Sequence, residues 1–422
     1  MILIFVSEIT PRIKYTFDFI FKVRGVKFEL TKNSEKFINY IGNKLNYSSL
    51  KLNSPQIDPS NICFSSKILD NNVKWGQVNT WECLSFNGKC DPVASIFYIL
   101  SRYEEYICDE YDIYGRFPYS KSILSVKNQV EKAHCDRWAV KINYFVDNSY
   151  KKEKNKVSII PTFDIDNTFA YKLKTGKRMY LSLFRDVLFF KIKRLKERFL
   201  TYKGNKDPYD TYSEILKIAS SFPKTLLFWL VGDYDKMDRN IPIENIEHQK
   251  LIKYISQSSE VNLHPSYASD GNVEIIKKEK DKLESIILKK VTKSRQHFLK
   301  FKLPLNYKSL IESGFLDDYS MGFAEHIGFR SGTSRPHFWF DLSQNSETKL
   351  IIHPFLYMDG TLNEYMLLSP DESKKKIYSI YNEVLEYGGE FIFIWHNETI
   401  GNYGKWKGWY SVLDYTLNLN HK

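Results

Sequence analysis

The chain has 422 residues, a formal net charge of +11, 43% hydrophobic residues and 26% charged ones. That length exceeds what one hydrophobic core usually supports, and the composition excludes a disordered or fibrous chain. The positive charge permits contact with an anionic surface. It is spread along the sequence except between Lys172 and Lys206, however, so no nucleic acid is expected as a partner.

The opening "MILIFVSEIT" has six consecutive apolar residues and no basic residue before them, too short for a signal peptide. No later run approaches transmembrane length, and the protein reads as cytoplasmic. "SEKFINYIGNKL" predicts a helix with Phe37, Ile38, Ile41 and Leu45 on one face. "NICFSS" and "ECLSFNG" read as short strands. "DPVASIFYILSRYEEYI" predicts a stronger helix, with Asp91 as N-cap, Pro92 at its first position and a buried stripe of Val93, Ile96, Phe97, Leu100 and Ile107. The five cysteines (Cys63, Cys83, Cys90, Cys108, Cys135) are an odd number without a CxxC pair, which suggests reduced thiols. Residues 1–150 therefore read as a smaller mixed α/β domain, without a recognisable catalytic cluster.

"NSYKKEKNK" (148–156) is the best linker candidate, being polar and charged. Residues 156–422 have the size and pattern of a (β/α) barrel: short apolar runs ("VSIIPTF", "TLLFWLVG", "EVNL", "SRQHFL", the "DDYS" region, "KLIIHPF", "EFIFIW") alternate with helix-period segments. Several runs end in a polar residue: Asp164, Asp233, His264, Asp318 and His396. In a parallel barrel the strand C-termini share one face, so such residues converge. Residues 172–206 form a basic insertion after the first strand. There Val187, Leu188, Phe190, Leu195 and Phe199 can share a helix face opposite Lys191, Lys193, Arg194 and Arg198. Such a helix either packs its apolar face on its own barrel or rests on a membrane or partner surface.

"PTFDID" brings Asp164 and Asp166 to the end of a core strand, where burying charge is costly. One structural reading has one acid capping the next helix and the other solvated. The chemical reading uses them at a metal site. Carboxylate and imidazole suit a borderline cation such as zinc, and a catalytic site leaves room for water, a base and an acid. Asp166 and His264 then supply ligands, Asp164 the base and His396 the acid, with Arg295 pairing Asp164.

"TFDID", "EVNLHPSYAS", "SRQHFLKF", "GFLDDYSMGF" and "FIFIWHN", in that order, resemble the sequential motifs of the polysaccharide deacetylase family, carbohydrate esterase family four. The whole chain resembles a bacterial branch that carries an N-terminal domain with a stretch like "DPVASIFYILSRYEEY". The resemblance implies a distorted (β/α) barrel in which a divalent metal, zinc with cobalt or nickel as alternatives, assists removal of acetyl groups, usually N-acetyl, from sugars. It implies Asp164 as general base, Asp166 as metal ligand, Arg295 as the residue positioning the base, and His396 as general acid. Many members have a second histidine four residues after the first, where this chain has Ala268. His297, where many members have proline, is the expected substitute ligand.

The expected substrate is an acetylated sugar or glycan intermediate made inside the cell. Two rivals are a carbohydrate-binding protein that has lost the metal, which Ala268 favours, and a basic peripheral protein acting through 172–206. Asp318 is expected to fasten Arg295, and Arg330 and Trp339 to lie near the barrel mouth. His353 and Asp359 sit near a strand end without an assignable role.

Overall fold

The computed structural model describes residues 1–78, 80–152, 157–174 and 176–421. The start of the expected linker is among them, and its remainder, 153–156, lies outside.

The first part holds two three-stranded sheets. In one, β1 (Ile2–Val6) is flanked in parallel by β2 (Phe28–Thr31) and β3 (Lys44–Tyr47). In the other, β4 (Val73–Val78), β5 (Trp81–Phe86) and β6 (Lys89–Cys90) form an antiparallel meander. The apolar opening is thus a central strand buried along its whole length. The helix read over 34–45 stops at Asn39, where Gly42 and the third strand take over, leaving Ile41 98% exposed. "NICFSS" is a turn rather than a strand. The helix Pro92–Leu100 begins as its sequence dictates: Asp91 accepts from the amides of Val93 and Ala94 at 3.0 Å, a cap worth about 1 kcal/mol. All five cysteines are free.

The second part is built on a nine-stranded sheet. Its strands are β7 (Ser158–Ile165), β8 (Leu226–Trp229), β9 (Glu260–Leu263), β10 (Lys293–Ser294), β11 (Asp317–Asp318), β12 (His337–Asp341), β13 (Ser346–Ile352), β14 (Tyr357–Met358) and β15 (Glu390–His396). The order is β12-β13-β11-β10-β9-β8-β7-β15-β14, and every pairing is parallel except β12 with β13. Strands buried on both faces read as continuous apolar runs, which is why "VSIIPTF" and "EFIFIW" show no polar alternation. Ile159, Phe163, Ile165, Phe391, Phe393 and Trp395 face the helices. Ile160, Leu226, Phe228, Ile392 and Ile394 form a separate inner cluster with Tyr319 and Phe355.

β11 and β15 lie five places apart in that order, yet one imidazole reaches both. His353 Nδ1 is 2.9 Å from Glu390 and Nε2 is 3.0 Å from Asp317. The backbone does the same: the His353 amide donates to Asp318 of β11 and the Leu356 amide to Ile392 of β15. The sheet is therefore strongly curled around the inner cluster.

The two parts meet over buried charge. Glu105 accepts from Arg102 Nε at 2.7 Å and from Arg330 Nε and Nη2 at 2.9 and 2.7 Å. Arg330 is therefore committed to this junction instead of a mouth, and Trp339 packs edge-on against Tyr307. Among the described residues no helix is long and apolar enough to cross a membrane.

Candidate metal centre

Strand alternation explains why two acids end β7. Side chains two apart share a face, so Ile160, Thr162 and Asp164 point inward while Phe163 and Ile165 join the outer core. Asp166 continues the inner series just past the strand. The same rule turns His396 inward after Ile392 and Ile394, and His264 inward between outer-facing Leu263 and the loop that follows. Asp164, Asp166, His264, His297 and His396 all line one cavity of about 210 Å³.

Asp166 is the meeting point. Its Oδ1 lies 3.2 Å from His264 Nε2, and its Oδ2 lies 3.4 Å from His297 Nε2 and 3.7 Å from His396 Nε2. One ligand atom each from Asp166, His264 and His297 fit within 4.8 Å of one another, close enough to hold a metal ion. Each histidine has its other nitrogen tied to an acceptor: His264 Nδ1 donates to the Arg295 carbonyl at 2.5 Å, His297 Nδ1 to Asp238 at 2.7 Å, and His396 Nδ1 to Asp359 at 2.8 Å. A carbonyl or carboxylate can only accept, so Nδ1 carries the proton and the Nε2 lone pair of each neutral ring faces the cavity.

Asp164 is held separately. Arg295 Nη1 donates to its Oδ1 at 2.7 Å, while Arg295 Nε is fixed by the Tyr319 carbonyl at 3.0 Å. The guanidinium also lies over the Phe228 ring, 4.3 Å from its centroid. Asp318 does not reach Arg295. Its carboxylate is used by Ser294 and Ser320, which lock β10 to the turn after β11. Asp233 is on the surface, paired with Lys278 and Lys282.

Burial and the neighbouring charges shift several groups of the cavity. Burial opposes ionisation of Asp166, but His297, His264 and His396 overcome it and hold its pKa well below the ordinary carboxylate range. Burial likewise opposes a charged His297, yet Asp166 and Asp238 lift it to about 9. His396 is also raised well above 6.5 against burial, first by Asp359. Burial and then Asp166 push Glu398 up to about 7. Asp238 and Asp359 stand behind His297 and His396, so each of these rings lies between two carboxylates. The enclosed Asp166 Oδ1 has no hydrogen-bond donor. One carboxylate and two imidazoles within reach of one point, with an orphaned carboxylate oxygen among them, fit a divalent cation, which would displace the imidazole Nε2 protons.

Sequence reasoning missed Asp238, Asp359 as a partner of His396, and Glu398. Asp238 ties the loop after β9 to His297: its two oxygens accept the amides of Tyr267 and Ala268 at 2.8 and 3.0 Å while also holding His297. The first part of the chain contributes as well. Arg116, anchored by Asp112 at 2.7 Å, reaches the cavity mouth beside Tyr365 and the Phe298 carbonyl.

A family model described as a family of unknown function, DUF7033, matches residues 2–151. No curated protein matches the chain. Among solved structures, a putative polysaccharide deacetylase from Mycobacterium smegmatis superposes with a TM-score of 0.39 at 13% identity, over 64% of this chain and 86% of that one. A polysaccharide deacetylase from Bacillus cereus gives a TM-score of 0.30 at 12% identity, over 62% and 86%. A mutant CE4 family pseudoenzyme with restored enzymatic activity gives 0.28 at 10%, over 63% and 65%. These likenesses are slight, and what the cluster can do follows from its own donor set.

Proposed function

We propose that the protein is a metal-dependent hydrolase that removes acetyl groups, most readily N-acetyl, from a sugar or glycan precursor. In this reading residues 1–150 and 156–422 are two domains, and the curled sheet is a distorted barrel whose strand ends carry the site. The observation that carries it is the convergence of three imidazole Nε2 atoms on Asp166, beside an aspartate held by a buried arginine. The ordered motifs that resemble those of the polysaccharide deacetylases supply the substrate class.

Asp166, His264 and His297 would hold the cation. A divalent metal there supplies Lewis-acid polarisation of a carbonyl oxygen and acidifies water. Asp164 accepts the proton of the attacking water, and Arg295 fixes the direction in which its carboxylate points. His396 protonates the departing amine, and Asp359 keeps its Nε2 turned towards the cavity. Arg116, Tyr365 and Trp406 border the cavity and shape what enters.

The test is metal content by elemental analysis of the purified protein and of an Asp166→Ala variant, followed by acetate release from acetylated sugars. About one zinc or similar ion per chain, lost in the variant, with acetate release from the native protein, is expected. A chain that binds metal but releases no acetate from any acetylated sugar would overturn the deacetylase reading and keep the metal site, whereas a metal-free chain would favour the carbohydrate-binding protein. A chain that takes up no zinc, cobalt or nickel would overturn the site.

A further inference from the structure

The basic insertion is a helical hairpin, and it is oriented opposite to the usual packing. Its helices, Gly176–Leu188 and Ile192–Tyr202, are joined by a tight turn in which Phe190 has a positive φ of 49°. Arg198 pins the two together, donating to Ser182 at 2.7 Å and Asp186 at 2.9 Å. Glu197 pins the hairpin to the body through Tyr403 at 2.6 Å. The apolar residues at its tip are turned away from the body. Val187, Leu188, Phe189, Phe190 and Ile192 are each more than half exposed, Phe190 83%. Such a run of bare aromatic and aliphatic side chains exceeds what scattered surface residues account for.

The same segment concentrates charge. Residues 176–203 contain nine Lys and Arg against two acids, a net +7 of the chain's +11. Both acids are engaged internally, Asp186 with Arg198 and Arg194, and Glu197 with Tyr403. Beneath the hairpin lies a cavity of about 830 Å³ whose lining, among the described residues, includes Lys174, Arg185, Arg194, Arg198 and Arg239 with Asp186 the one acid. Arg198 is nine-tenths buried there and its Nε has no partner. Burial, reinforced by Arg194 and Arg198, lowers the Lys174 pKa despite Asp207 and Glu398. The cavity is short of negative charge.

We propose that the Gly176–Tyr202 hairpin seats the protein on an anionic phospholipid surface, its apolar tip among the acyl chains and the cationic cavity beneath it holding a lipid phosphate. An apolar wedge ringed by Lys and Arg has the composition of a segment that lies in the bilayer interface. Charge complementarity selects this occupant over an apolar protein groove, which would leave the surplus cations unpaired. The proposal is independent of the hydrolase reading, since it concerns binding alone.

The test is co-sedimentation of the full chain with vesicles of phosphatidylcholine, with or without phosphatidylglycerol. Binding is expected only with phosphatidylglycerol and should fall about tenfold on raising salt. Phe189→Asp with Phe190→Asp, and separately Ile192→Asp, should abolish it while leaving the melting temperature unchanged. Lys174→Gln with Arg185→Gln should weaken it about tenfold. Absence of binding, equal binding to phosphatidylcholine alone, or binding retained in the tip variants would overturn the proposal. So would self-association in the absence of lipid that the tip variants abolish, which would make a second copy the occupant. Stabilisation by inorganic phosphate as large as that by vesicles would show that the cavity takes a free phosphate and would overturn the lipid source.

Discussion

Asp238 accepts the Nδ1 proton of His297 at 2.7 Å and so fixes which nitrogen of that ring faces Asp166. An imidazole that is to hold a metal needs such a partner, because an unheld ring presents either nitrogen and rotates freely. Asp238→Asn is expected to keep the fold and lower metal affinity by about 10- to 100-fold. His297→Ala should lose the metal outright. Competition with a chromophoric chelator measures both, and unchanged affinity in both variants would remove His297 from the site.

Asp359 stands in the same relation to His396, holding its Nδ1 at 2.8 Å, and it also takes the His396 amide and the Thr399 hydroxyl. Because His396 is assigned to proton transfer, its misalignment should damage turnover and spare metal binding. Asp359→Asn is expected to reduce kcat by about 10²- to 10⁴-fold with metal content intact. Loss of metal in this variant would instead make His396 a ligand.

His353 joins β11 to β15 through Asp317 and Glu390, and those two carboxylates raise its pKa above 6.5 although burial opposes this. The bridge therefore contributes most below pH 6.5 and fades as pH rises through the raised folded-state value. His353→Gln should cost roughly 2–3 kcal/mol at pH 6, with a smaller difference on the alkaline side. Melting curves of both proteins across pH measure it. A difference that grows with pH would contradict the charged bridge.

Glu105 is buried between Arg102 and Arg330, which belong to the two parts of the chain. Removing its charge leaves two guanidinium groups in a low-dielectric junction with one partner fewer. Glu105→Gln is expected to destabilise by about 3–5 kcal/mol, read from denaturant unfolding. A loss under about 1 kcal/mol would mean that water reaches the junction.

Strand periodicity made much of the second part legible. Six of the seven runs correspond to strands of the large sheet, while "SRQHFL" meets β10 only at Ser294 and turns at His297–Leu299. The two-residue alternation that buries Ile160 and Thr162 inside also turns Asp164 and Asp166 inside. Asp238, Asp359 and Glu398 were hidden because they sit on loops or helix starts, where no period assigns a direction. The hairpin's orientation was open in the sequence for a physical reason as well. Amphipathicity states that a helix has two faces, and only the surroundings decide which one is covered. Here Arg198 is buried and Phe199 exposed, the reverse of the usual packing. At the N-terminus, "ILIFV" was too short to reveal a central parallel strand without its distant partners at Phe28–Thr31 and Lys44–Tyr47.

Arg116 has a consequence for descent. It comes from the segment matched by the DUF7033 model, yet it borders the cavity built by the later strands. Whatever that cavity admits is therefore selected jointly by both segments. A recombination that exchanged one segment alone would rewrite the mouth while leaving the ligand cluster whole, so the two are expected to be inherited as a pair and to vary together.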